Sequence, residues 1–439
     1  MQQTLISPVS RESSAERGKM SPAAARVDSP PSGGVRAGGR LFDAHDFCVA
    51  ELPVPEIWDR ISGIAVREQA SDVHVTAQRD GAPLALRLDG RLYGQGALIG
   101  DIGQRLVNHV KVLARLDVSE RRRPQDGSLR CEVDGRPVDL RISTLPTIHG
   151  EDLSVRILDR ASGLMRVAQL GATASQTAQI NGLLTCPSGL ILVSGSTGAG
   201  KTTTLYALVQ QLADGSRKIV TIEDPVEYDL PGVSQSAVCA RLGLDYATLL
   251  RSVLRQDPNI IMLGEIRDAQ TAATVVRAAN SGRMVLATSH ATSAAAAVES
   301  LTALGAHPYY VARALRGVIS QTLVRRLCRY CAERLDETVD EPIFTDVRTL
   351  LSPGETPALS MARGCGHCRH TGYRERVGVF EVMTVSDELR RGITEAMPAA
   401  RIHEIARSEG MIPIADAARL AALRGMTTIE ELLSNISED

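Results

Sequence analysis

Aromatic residues are scarce: one Trp, four Phe and eight Tyr make up 3% of 439 residues. The interior must therefore be built mainly from Val, Ile, Leu and Ala, within an apolar share of 44%. An excess of one charge is also lacking. Lys and Arg number 49 against 51 Asp and Glu, a net charge of −2, which excludes a global basic field for nucleic acid though not a local patch. No apolar run approaches the ~18–20 residues needed to span a bilayer, and the N-terminus lacks the continuous apolar stretch of a secretory signal. Residues 1–45, rich in Ser, Pro, Gly and Arg, have too little apolar surface to offset chain ordering and are expected to form a disordered tail. A cytoplasmic location is expected, where disulfides are rare. Of eight cysteines, Cys48, Cys131, Cys186 and Cys239 are scattered singles, read as small core residues; the other four form two CxxC pairs.

The chain is long enough for two or three domains. ELPVPEIWDRISGIAVREQASDVHV reads as a helix running into a strand at 71–75. DGAPLALRLDGRL and SLRCEVDGRPVDLRIST alternate apolar and polar residues around DG turns, a hairpin signal, with helical spacing in IGQRLVNHVKVLARLDV between them. These mark a small α+β domain over 46–160, followed by a linker at 161–172. From 173 the apolar runs LILVSG, KIVTIED, IIMLGE and MVLATSH alternate with helices, the pattern of a parallel sheet covered on both faces. The end of the chain reads as helical.

GSTGAGKT, Gly195 to Thr202, fits GxxxxGK[ST] at every fixed position and lies between a strand and a helix whose Leu205, Leu208, Val209 and Leu212 share one face. Gly195, Gly198 and Gly200 allow a turn with its N–H groups facing inward, and the helix N-terminus adds positive potential for phosphates. Ser196, Thr197, Ala199 and Thr203 complete the nucleotide-binding stretch. Lys201 is expected on the β and γ phosphates and Thr202 on Mg²⁺. Glu223 and Glu265 close two of the apolar runs, where a doubly wound sheet opens its ligand crevice. One would orient the attacking water and the other support the metal; spacing alone does not assign which. His290 ends the next strand and is a candidate γ-phosphate sensor. Arg251 and Arg255, at i and i+4 on one helix face, read by default as a solvated face.

The pairs Cys328/Cys331 and Cys365/Cys368 raise three readings: a redox motif, half a nucleic-acid finger, or a structural metal knuckle. A redox CxxC needs a thioredoxin-like βαβ unit, absent here, and a finger needs a basic recognition helix where this chain has an acidic insert. Four thiolates can close a tetrahedral Zn²⁺ site with no open position, so structural zinc is expected, the insert looping out between the knuckles.

GSTGAGKTTTLYAL, TIEDPVEYDLPGVSQ, LLRSVLRQDPNIIMLGEIRDAQTA and ATSHATSAAAAVESL resemble the P-loop, aspartate box, Walker B and histidine box of secretion ATPases of the GspE/PilB type. ASDVHV, LDVSERRRPQDGSL and VDLRISTLPTIHGEDLSVRILDR upstream, and CRYC with GCGHCRHTGYRERVGVFEVM downstream, extend the resemblance over about residues 55–437. It implies an α/β fold: an α+β domain, a RecA-like P-loop ATPase domain over 173–325, a tetracysteine zinc module over 326–378 and a C-terminal helical region over 379–439. It implies a homohexameric ATPase using ATP and Mg²⁺, peripheral to the inner membrane through a platform protein, that drives a type II secretion pseudopilus or type IV pilus. Glu223 would activate water, Glu265 would be the Walker B acid, His290 the histidine-box contact, and Arg141 and Arg156 would reach the nucleotide from the N-terminal domain. The tetracysteine module further implies an assembly motor rather than a retraction motor. Three departures stand out: Arg283 where the histidine box opens with a second His, ATSHATS in place of STLHTN, and no evident counterpart of the family's first N-terminal domain. The competing expectations are a nucleic-acid translocase with the same core and a weakly hydrolysing, nucleotide-gated scaffold.

Overall fold

The computed structural model describes residues 52–159, 164–335 and 342–435; the expected tail over 1–45 lies outside them. The N-terminal part begins with helix α1 (Val54–Arg67), which buries Ile57, Trp58, Ile61, Ile64 and Ala65 along one face. Pro53 sets its entry, and Gln69 in the left-handed region turns the chain away just after its end. Six antiparallel strands follow, with α2 (Ile102–Leu113) inserted among them: β1 (Asp72–Val75), β2 (Gly81–Leu88), β3 (Arg91–Ile99), β4 (Gln125–Val133), β5 (Arg136–Thr147) and β6 (Gly150–Asp159). They pair in the order β3-β2-β1-β6-β5-β4. Asp89-Gly90 and Asp134-Gly135, all with positive φ, make the two tight turns that the DG dipeptides announced. Along β2, Ala82, Leu84, Leu86 and Leu88 face inward at every second position and pack with both helices.

The second sheet has seven strands in the order β15-β12-β7-β11-β10-β8-β9. After α3 (Ala174–Leu184) come β7 (Gly189–Ser194), α4 (Lys201–Leu212), β8 (Ile219–Glu223), β9 (Ser234–Ala237), α5 (Tyr246–Val253), β10 (Ile260–Leu263), α6 (Ala269–Asn280), β11 (Met284–Ser289), α7 (Ala294–Ala303), α8 (Pro308–Ala314) and β12 (Leu315–Leu327). Every residue of β7, β8, β10 and β11 is buried, because helices cover both faces of this parallel core. Removing one such side chain, as in Leu192→Ala, costs about 2–5 kcal/mol.

Strand β12 leaves the sheet toward a small antiparallel ribbon, β13 (Ala332–Arg334) with β14 (Ser360–Ala362), and the chain returns along β15 (Tyr373–Thr384), antiparallel to β12. The expected boundaries at 325/326 and 378/379 therefore fall inside β12 and β15. The charged Arg374-Glu375-Arg376 opening of β15 masks its strand character in the sequence, because those residues lie at the exposed outer end. The insert does more than loop out. Residues 336–341 lie outside the described set, but Phe344, Val347 and Leu359 are buried against α11. The C-terminal helices are α9 (Asp387–Thr394), α10 (Ala399–Ser408), α11 (Ile414–Leu423) and α12 (Ile429–Asn435). Among the described residues no helix is long and apolar enough to cross a membrane.

Candidate nucleotide site and metal centre

The Gly-rich turn joins β7 to α4, with Gly195, Gly198 and Gly200 at positive φ. Gly195 is required twice over, since an added Cβ would also lie 2.3 Å from the Gln321 carbonyl oxygen. Gly200 is the left-handed N-cap of α4, so the first free N–H groups of the helix face the turn that Ser196, Thr197 and Ala199 complete. Lys201 closes the turn on itself, donating from Nζ to the carbonyls of Gly195 (2.6 Å) and Ser196 (3.0 Å). Thr202 and Thr203 follow on the exposed first turn. Burial lowers the Lys201 ammonium below its ordinary value, with Glu265 pulling the other way.

From Lys201 the polar contacts run across the ends of three strands. Lys201 Nζ lies 3.5 Å from His290 Nδ1, just beyond β11. His290 Nε2 lies 2.9 Å from Glu265 Oε2, just beyond β10. Arg267 pairs with the other oxygen of Glu265 and reaches Asp224 at 3.5 Å. Burial pushes the Glu265 carboxyl up, but Arg267 and His290 together outweigh it and hold the group below its ordinary value. Lys201, His290 and Glu265 thus meet as the strand-end placement required.

Glu223 behaves differently. It is 3% exposed and accepts hydrogen bonds from Thr221 Oγ1 (2.5 Å), Gln235 Nε2 (3.0 Å) and the Tyr206 hydroxyl. The same Tyr206 oxygen accepts the N–H groups of Glu227 and Tyr228 at 3.1 and 3.3 Å. Burial, aided by the Glu223 charge, raises the Tyr206 hydroxyl well above its ordinary value, so it stays protonated. Glu223 therefore ties α4 to the loop 224–228 in this form.

That loop also carries Glu227, less buried than Glu223, which sequence reasoning missed. It forms a two-pronged pair with Arg141, Nη1 to Oε1 at 3.0 Å and Nη2 to Oε2 at 2.8 Å. Its signal was present in the sequence as the third acid of TIEDPVE, four residues beyond the one that ends the strand. Arg156 stands directly across from Arg141 in the β5–β6 register and from Asp72 in the β1–β6 register. Its Nε reaches Asp72 Oδ1 at 3.1 Å. Both arginines border a cavity of about 470 Å³ that also touches Asp126, Ser128 and Pro225. Arg251 and Arg255 are exposed, and among the described residues their hydrogen bonds go to Thr248, Ser252 and the backbone of their own helix. Arg283 precedes β11, at the opposite strand end from His290, roughly 20 Å away at ~3.3 Å per residue.

The four thiols converge. Sγ atoms of Cys328 and Cys365 are 3.9 Å apart, those of Cys331 and Cys368 3.6 Å, and those of Cys365 and Cys368 3.8 Å. A tetrahedron with Zn–S bonds of ~2.3 Å places its sulfurs about 3.8 Å apart, so the donor set fits such an ion. The N–H groups of Cys365 and Gly372 point at Cys368 Sγ, both at 3.2 Å, which suits a thiolate. His367 instead packs on the Tyr330 ring at 4.1 Å. The β13–β14 ribbon is what brings the two distant CxxC pairs together.

A Gly-rich phosphate turn on a parallel sheet, strand-end acids beside it and an arginine-bearing α+β domain define a P-loop ATPase with an N-terminal domain. Residues 49–434 match the Type II/IV secretion system protein family, and the chain belongs to that family. It is 40% identical over 393 residues to the type II secretion system protein HxcR of Pseudomonas aeruginosa, covering 90% of this chain and 78% of that one. It is 37% identical over 377 residues to the type IV pilus assembly ATPase PilB of Thermus thermophilus, covering 85% of this chain and 42% of that one. The fold resembles the ATPase DotB of Legionella pneumophila, with a TM-score of 0.62 at 19% identity over 87% of this chain and 95% of that one. It also resembles the pilus retraction motor PilT with bound ADP, with a TM-score of 0.59 at 23% identity over 87% and 97% of the two chains.

Proposed function

We propose that this chain is a Mg²⁺-dependent ATPase that works as a homohexamer and couples hydrolysis to assembly of a pilus or pseudopilus and to protein export. The observation that carries the reading is the meeting of Lys201, His290 and Glu265 beside the phosphate turn. Lys201 and the N–H groups of 196–203 would bind phosphate oxygens, Thr202 would hold Mg²⁺, and Glu265 would support the metal through its outer shell. His290, already bonded to Glu265, would report the γ-phosphate. Arg141 and Arg156 would neutralise charge developing on the transferred group once released from Glu227 and Asp72. The water-orienting role falls to the loop 223–227. Glu223 supplies its anchor, and Glu227 would take the role once Arg141 releases it.

Cys328, Cys331, Cys365 and Cys368 would hold one structural Zn²⁺, a closed site that does no chemistry. The protein would act in the cytoplasm, attached peripherally to the inner membrane through a polytopic platform protein, with no nucleic acid involved. Hydrolysis by the purified protein should depend on Mg²⁺ and vanish in Lys201→Ala; turnover unchanged in that variant would sink the assignment.

A further inference from the structure

The N-terminal sheet is fastened to the rest of the molecule at two points far from the phosphate turn. The first is Arg369, the residue after the metal-ligand position Cys368. Its guanidinium pairs with the Glu68 carboxylate and donates from Nη2 to the Glu68 carbonyl at 2.6 Å, gripping the end of α1. Arg369 sits at φ 56°, a left-handed conformation that a non-glycine residue adopts only where its surroundings enforce it. The knuckle enforces it: His370 N donates to Cys365 O at 2.8 Å, while Cys365 and Gly372 N–H groups hold Cys368 Sγ. The second point is Arg91, at the start of β3. Its Nη2 reaches Glu431 Oε2 at 3.2 Å and Ser434 Oγ at 3.4 Å on α12. Glu431 is itself buried and held by Arg325 of β12 at 2.9 and 2.6 Å, and Arg325 lies 3.9 Å over the Tyr373 ring of β15.

Between these points lies the Asp89-Gly90 turn. Asp89 faces Arg369, Arg376 and Arg325, and an added Cβ on Gly90 would stand 3.7 Å from Arg376 Nη1. The fastened elements are β3, at one edge of the sheet that carries Arg141 on β5 and Arg156 on β6, and α1, which packs against β4 at the other edge. A sheet hydrogen-bonded across six strands transmits position from one edge to the other. Fixing β3 and α1 therefore sets where β5 meets the loop bearing Glu227.

We infer that Arg369 and Glu68, supported by Arg91 and Glu431, form an interdomain latch that positions Arg141 and Arg156 for the phosphoryl-transfer step, with the metal knuckle as its anchor. Arg369 touches no nucleotide-site residue and acts as a positioning residue. The inference rests on the ATPase reading above, and it gives the tetracysteine centre a task in that reaction without giving it chemistry.

The test is a double-mutant cycle with Glu68→Gln and Arg369→Gln in the full-length protein. Misplacing a reacting group by a fraction of an ångström to an ångström costs about tenfold or more in turnover. Each single variant should lower kcat about tenfold with KM for ATP within about twofold, because the phosphate turn is untouched. The double variant should be no worse than Arg369→Gln alone, since that change already removes both the carboxylate pair and the bond to the Glu68 carbonyl. Arg369→Lys should recover part of the loss, and all variants should retain about one zinc per chain. Arg91→Gln gives an independent second break with the same kinetic signature. In the nucleotide-free protein, amides at 68–70 and 89–91 should exchange hydrogen faster in Arg369→Gln than in the parent. Unchanged exchange, unchanged kcat in an active parent, or strictly additive losses would overturn the latch. A parent without ATPase activity but with faster exchange in Arg369→Gln would sink the motor reading and leave the latch standing.

Discussion

Arg141 and Glu227 meet across the junction of the two sheets as a two-pronged ion pair, at 3.0 and 2.8 Å, with both side chains about three-quarters buried. Neither group is free for a nucleotide in this form. On the proposed reading, phosphate entering the site would compete for the guanidinium, and departure of Arg141 would release the Glu227 carboxylate at the same moment, linking arrival of a positive charge at the phosphates to release of a base.

Replacing either member should expose that linkage. Arg141→Ala should lower kcat by about a hundredfold or more, the range in which an arginine that stabilises the transferred group acts, with a much smaller change in KM. Glu227→Gln should lower kcat by a similar factor, in the span of ~10²–10⁴ that general acid–base groups supply. Steady-state ATPase assays decide it, and a loss confined to KM would contradict both.

Glu223 should part company with Glu265 and Glu227 on a different axis. Tyr206→Phe deletes the hydroxyl shared by Glu223 and the N–H groups of 227 and 228, leaving a buried carboxylate short of a donor. That costs about 1–3 kcal/mol. At about 1–2 °C per kcal/mol, since the shift shrinks as the unfolding entropy grows with chain length, the thermal midpoint should fall by a few degrees. Differential scanning calorimetry checks this, and an unchanged midpoint would refute the anchoring role.

Lys201 predicts a pH dependence. In the free protein its pKa lies below the ordinary lysine value because of burial, whereas phosphate oxygens in the bound state would raise it. Between the two values binding must take up a proton, so affinity should fall as pH rises above the free-state value. Titration calorimetry of a nonhydrolysable ATP analogue in two buffers of different ionisation enthalpy should report proton uptake on the alkaline side. Proton release there would reverse the sign and refute the argument.

Arg283→His, which restores the residue expected at the start of the histidine box, should change kcat by less than about twofold. Its side chain bonds Ser281 at 2.9 Å, at the strand end remote from His290. A large gain in turnover would revive the weakly hydrolysing scaffold.

The parts of the fold that were legible in the sequence are those fixed by local rules. The DG dipeptides placed the β2–β3 and β4–β5 hairpins, and uninterrupted apolar runs placed β7, β8, β10 and β11, because a buried parallel strand has no polar face to show. The phosphate turn was readable because its glycines answer to backbone geometry alone. What escaped depends on contacts distant in sequence. Glu223 and Glu227 both look like loop-side acids, and only Tyr206, 17 positions before the first of them, separates the fully buried anchor from the partner of Arg141. Strand β15 escaped because its partner β12 lies across the whole cysteine module, and its charged opening reads as a loop.

That pairing has a mechanical meaning. Strands β12 and β15, of 13 and 12 residues, are hydrogen-bonded from Gly317/Thr384 in the motor sheet to Leu327/Tyr373 beside the cysteines. At ~3.3 Å per residue this is a stiff girder of roughly 40 Å, with one end in the catalytic core and the other gripping the N-terminal domain. A displacement at the phosphate end would be carried along this ladder, whose register shifts once, between Arg325 and Leu327, where Glu431 clamps the Arg325 side chain. The cysteine module thus stands at the far end of these two strands, and an ion held there would stiffen the end that meets the N-terminal domain.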